Sequence, residues 1–99
     1  MKYYFVKLLP PRPTFAQDMT EVERALMHEH IVYWQARMAE GSVVAYGPVA
    51  DPKGGYGLGI LKLADDADVS HFCAGDPTVL ANVGFAYEVF VMPRLVTPS

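Results

Sequence analysis

The stretch TEVERALMHEHIVYWQARMAEG, Thr20 to Gly41, decides how the rest of the chain is read. Thr20 and Glu23 have the spacing of a capping box, in which each side chain satisfies a backbone N–H of the other at a helix start. Met27, Ile31, Trp34 and Met38 then recur at intervals of four, three and four residues, one apolar stripe of an α-helix. Gly41 stands where a helix-ending glycine belongs. A long helix is predicted between these two signals.

Outward from that helix, both flanks read as strands. On the N-terminal side YYFVKLL (Tyr3 to Leu9) is rich in aromatic and branched residues and is stopped by Pro10 and Pro11, while PPRPTFAQDM reads as a loop leading to the helix. On the C-terminal side SVVAYGPV (Ser42 to Val49) and YGLGILKL (Tyr56 to Leu63) flank ADPKGG, a connection of hairpin length, so the two strands should pair antiparallel. DDADVSHFCAG carries acids at its front and Val69, Phe72 and Cys73 on one side, a short second helix. DPTVLANVG reads as a turn with one helical turn, and FAYEVFVM (Phe85 to Met92) as a last strand ended by Pro93. The order β-α-β-β-α-β over one domain, residues 1–99, predicts an α+β, ferredoxin-like antiparallel sheet with two helices on one face.

These strands place apolar or aromatic side chains on both faces, so the helix-free face also needs cover. The simplest cover is a second copy related by a two-fold axis, a dimeric α+β barrel. Composition points the same way, with 52% hydrophobic and only 19% charged residues. A net charge of -3 without a Lys/Arg cluster argues against nucleic acid. MKYYFVKLLPPRP is too short for a membrane span and has no cleavage-like site, so no membrane association is expected. Cys73 is the one cysteine and forms no intrachain disulfide, which fits a reducing cytoplasm.

His28 and His30 tempt a metal-pair reading that helix geometry removes, since residues two apart point to nearly opposite sides. His30 lies on the side of Glu23, Leu26, Trp34 and Arg37, at a border between packed face and cleft, whereas His28 and His71 read as solvated surface. Asp76 before Pro77 is an ordinary N-cap with Pro at N1, and equally a carboxylate fixed well enough to orient a histidine. Spacing alone does not bring it to His30. Gly47-Pro48 reads as a bulge or strand end. Cys73 reads as a buried structural thiol, GGYGLG runs into a strand and so cradles no phosphate, and no ligand set has zinc spacing.

Taken together, His30-x10-Gly41, a strand ending Gly47-Pro48, and Asp76-Pro77 before a last strand closed by Pro93 resemble the YCII-related family. The resemblance implies a ferredoxin-like domain that dimerises as an α+β barrel, and an enzyme in which His30 and Asp76 meet in a cleft. The sequence departs at Thr78, where members often carry an aromatic residue, and in a longer PPRPTFAQDMT loop that would lid the site with Phe15.

The expected function is a cofactor-independent lyase or isomerase acting on a small, mostly apolar molecule. His30 would shuttle a proton, Asp76 would hold its ring, Trp34, Tyr46 and Phe15 would form pocket walls, and Arg37 or Arg12 would bind an anionic substituent. The rival reading is a non-catalytic ligand-binding or interaction module in which His30 and Asp76 are a structural pair. A third possibility is a metal held by His30, Asp76 and a partner group.

Overall fold

Alternation along the first strand separates two environments. In β1 (Lys2–Leu9) the side chains of Tyr4, Val6 and Leu8 are buried, and Tyr3, Phe5 and Lys7 turn to the opposite face. The computed structural model, which describes residues 1–98, pairs β1 antiparallel with β3 (Tyr56–Leu63) on one side and β4 (Ala86–Met92) on the other. β2 (Val43–Val49) pairs with β3, so the sheet order is β2-β3-β1-β4 and every neighbour is antiparallel. Four helices connect the strands: α1 (Phe15–Asp18), α2 (Glu21–Ala39), α3 (Val69–Ala74) and α4 (Pro77–Leu80). Trp34 of α2 and Phe72 and Cys73 of α3 pack with Tyr4, Val6, Val43, Leu61 and Leu63 into one core on one sheet face. The chain is α+β and ferredoxin-like. Among the described residues, no helix is long and apolar enough to cross a membrane.

The signals that bound α2 act as expected. Thr20 Oγ1 accepts from Glu23 N at 3.1 Å, and Glu23 Oε1 accepts from Thr20 N at 2.9 Å. At the other end Ser42 N donates to Arg37 O and Gly41 N to Met38 O, each at 3.0 Å, a Schellman closure that needs the left-handed φ of 91° at Gly41. The buried face of the helix, however, is not the predicted stripe. Ile31 and Met38 are 41% and 37% exposed, and the fully buried residues are His30 and Trp34. The face is rotated because a polar side chain with hydrogen-bond partners can occupy the core, which an apolar periodicity does not register.

Two further differences shape the interior. The segment read as a loop contains the helical turn α1, clamped to α2 by Arg12: its NH1 and NH2 donate to Glu23 Oε2 and Oε1, both at 2.8 Å, and its Nε donates to Asp18 Oδ1 at 2.7 Å. This seats Phe15, 5% exposed, edge-on to Phe85. In β2 the register breaks between Val43 and Ala45 rather than at Gly47-Pro48. The extra residue flips the phase of the strand, so that Tyr46, opposite Gly59, faces the helices. Pro48 remains paired opposite Gly57, which an edge strand tolerates.

Gly59 has a packing reason to be glycine: a Cβ there would overlap the six-membered ring of Trp34, which lies flat on the bare strand. Gly59→Ala is expected to cost about 1–3 kcal/mol by overpacking, and Gly41→Ala about 1 kcal/mol by left-handed strain. Urea unfolding of the two variants, with Gly59→Ala the more destabilised, checks both.

Candidate functional site

Asp76 organises the site. As the N-cap of α4 its Oδ1 accepts from Thr78 N at 2.9 Å and from Thr78 Oγ1 at 2.8 Å, which leaves Oδ2 turned towards α2. That oxygen accepts from His30 Nδ1 at 2.7 Å, from Trp34 Nε1 at 2.9 Å and from the Tyr87 hydroxyl. Asp76 and Thr78 are 0% exposed. Burial by itself would raise the Asp76 pKa, but hydrogen bonds from His30 and Tyr87, the attraction of His30 and the Thr78 N–H outweigh it and hold the carboxyl at about 2. Burial, and after it the Asp76 charge, push the Tyr87 phenol well above its ordinary range, so Tyr87 stays a donor. An ionised carboxylate only accepts, so the proton of a neutral His30 resides on Nδ1.

His30 also lines a cavity of about 280 Å³ between α2, α1 and the helix-facing side of the sheet. Among the described residues its Nε2 has no hydrogen-bond partner, and the one fully enclosed side-chain N or O atom without a partner is Arg37 Nε. Nε2 is therefore not sealed in, and the ring that carries it lines the cavity. Phe15, Trp34 and Tyr46 line the same cavity, with the Tyr46 ring tilted against Trp34 at a centroid distance of 5.5 Å.

Arg37 does not join them. One turn beyond Trp34's neighbour Tyr33, it lies over the Tyr33 ring at 5.1 Å, pairs with Glu40 Oε1 at 2.7 Å and lines a separate open groove. Distance along the axis accounts for this: Arg37 shares the side of His30 but lies seven residues, about two turns, further along α2. Arg12 is not a lining residue either, its guanidinium being committed to Glu23 and Asp18. His28 and His71 are exposed, and burial, then the Asp76 charge, push the Cys73 thiol up to about 11, as befits an inert core thiol.

Sequence reasoning missed Tyr87 and the role of Thr78. The signal for Tyr87 was available, because alternation in FAYEVFVM puts it opposite Leu8, on the core face, where a phenol needs a partner. Thr78 adds a hydroxyl to the N-cap bond that any residue would make from its backbone.

Two outcomes follow from the buried carboxylate. The folded pKa of Asp76 lies below the ordinary 3.8, so its contribution is complete above about pH 4 and is lost as the pH falls towards 2. Over that window the acid-induced loss of stability should be about 2 kcal/mol smaller in Asp76→Asn than in the wild type. Asp76→Ala, which removes the acceptor of five hydrogen bonds, should cost about 3–5 kcal/mol at pH 7 by denaturant unfolding.

No curated protein matches the chain. Among solved structures it is similar to a formyltetrahydrofolate deformylase from Pseudomonas putida, with 15% identity and a TM-score of 0.43. The likeness covers 91% of this chain and 28% of that one. The family model described as the YCII-related domain matches residues 3–93, and the chain accordingly belongs to the YCII-related family.

Proposed function

We propose that this protein is a cofactor-independent acid–base enzyme, a lyase or isomerase, in which His30 moves a proton and Asp76 holds its ring. The observation that carries this reading is the Nδ1 to Oδ2 contact of 2.7 Å on an imidazole whose other nitrogen is unpartnered at a cavity wall. The ionised Asp76 fixes the Nδ1–H tautomer and leaves the Nε2 lone pair as the base. When Nε2 takes a proton from a carbon or oxygen of the substrate, the pair passes from one net negative charge to zero, and the carboxylate stabilises the imidazolium. The same proton returns from Nε2 to a second substrate atom in an isomerisation, or to the leaving group in an elimination. Trp34, Tyr46 and Phe15 are the walls that hold the substrate and keep water out, in a protein of the reducing cytoplasm.

A second reading is favoured by the crowding of Asp76 Oδ2, which also accepts from Trp34 and Tyr87. Such a hub ties α2, α4 and β4 together, as a purely structural pair beneath a ligand-binding cavity would. Deuterium uptake from heavy water into a panel of small carbon acids, followed by NMR, separates the two. His30→Gln is expected to lower the exchange rate by about 10²–10⁴-fold with the fold intact. Exchange equal in wild type and variant, or spectral shifts without exchange in the wild type, rejects the catalytic reading.

The partner is proposed to be a second copy. Phe5 and Phe90, edge to face at 5.7 Å, lie on the helix-free face of the sheet, and Phe90 is 51% exposed. Light scattering should give the wild type twice the chain mass and Phe90→Glu the single mass. A wild type of single mass refutes the dimer.

A further inference from the structure

We infer that the cavity selects uncharged ligands and that Gly57 is the position that sets their size, a reading that deepens the acid–base site proposed above. The charge argument comes from the walls. None of the residues lining the cavity is a lysine, arginine, aspartate or glutamate. The two cations nearest in sequence to the site are turned elsewhere, Arg12 into its bidentate pair with Glu23 and Arg37 into the outer groove. Behind the His30 wall the charge is negative, the wholly buried Asp76 carboxylate one hydrogen bond from the ring, while Arg12 behind Phe15 and Lys7 behind Tyr56 are each already paired with a carboxylate. A carboxylate or phosphate entering this space would lose its hydration without gaining a counter-ion, and would approach a fixed anion across one imidazole. An uncharged ligand meets neither cost, and its acidic hydrogen faces Nε2.

The size argument comes from the floor. Gly57 and Gly59 are two residues apart in β3, opposite Leu8 and Val6 of β1, and so present bare backbone on the same, helix-facing side. At Gly59 the missing side chain is replaced by the indole of Trp34. At Gly57 nothing in the protein takes the space: a Cβ there would meet Leu8 Cβ at 3.4 Å, ordinary contact, and no other atom within 4 Å. The backbone of Gly57 is not in the left-handed region, so conformation does not demand glycine. The vacancy continues the flat surface on which Trp34 lies, beside Tyr46, and is the seat for a compact molecule next to His30. A side chain at Gly57 would occupy that seat without disturbing the core, which makes Gly57 the specificity-determining position.

The test uses the full chain and two matched probe pairs, benzyl alcohol with benzoate and cyclohexylmethanol with cyclohexanecarboxylate. Binding is followed by NMR at the Trp34 indole N–H and the Gly57 amide. The alcohols are expected to shift both signals, and each carboxylate to bind about tenfold or more weakly. Gly57→Ala should weaken alcohol binding and Gly57→Val should weaken it about tenfold or more, with no fall in Tm. If Gly57→Val does not fold, Gly57→Ala decides. The inference is overturned if the carboxylates bind as well as the alcohols, if neither alcohol binds, or if a folded Gly57 variant binds like the wild type. Charge selection is read from binding to the wild type and proton exchange from turnover in His30→Gln, so the failure of one reading is distinguished from the failure of the other.

Discussion

A carboxylate removed from water must have its lone pairs directed at donors, and meeting that requirement at Asp76 draws the functional end of the molecule together. The five hydrogen bonds come from three directions: two from Thr78 in the same turn, two from His30 and Trp34 one helical turn apart on α2, and one from Tyr87 on β4. Each donor is ordinary by itself. Their convergence on one acceptor fixes the rotation of α2 about its axis, because His30 and Trp34 reach Oδ2 only if their shared side faces α4. The same rotation leaves Met38 exposed and Ile31 half-exposed at the edge of the cavity, while Arg37, two turns beyond His30, lies past it.

The cavity is the geometric residue of that arrangement. Trp34, held by its indole N–H, lies against Gly59 and occupies one of two bare positions on β3. The second, Gly57, lies opposite Pro48 and stays bare, while the bulge in β2 turns Tyr46, opposite Gly59, to the helix side against Trp34. Phe15 closes the near side, kept there by an arginine fork whose partner Glu23 is also the capping residue of α2. One carboxylate thus serves the start of the long helix and the wall of the site at once. Hydrogen bonds from Arg12, and after them the Thr20 N–H, keep it ionised at about 2.

Local chemistry was legible in the sequence wherever an interaction closes within a few residues. The capping box at Thr20 and Glu23, the glycine closure at Gly41 and the N-cap at Asp76 each involve neighbours along the chain, so residue type and spacing suffice to place them. The α+β order followed from those elements and from the rules that connect them. Apolar counting failed where burial depends on partners, as at His30, and where a register shift changes a strand's phase, as between Val43 and Ala45.

The sequence by itself thus determined the order of the four strands and of the long helix between the first two, the limits of that helix, and two polar residues capable of acid–base chemistry. Only the tertiary structure decided that those two, 46 positions apart, share a hydrogen bond, that Tyr87 and Trp34 join them, and that an open space lies beside the imidazole. The physical reason is range: backbone hydrogen bonds and caps act between near neighbours, whereas the sheet order and the packing of α2 set which distant side chains compete for one buried oxygen.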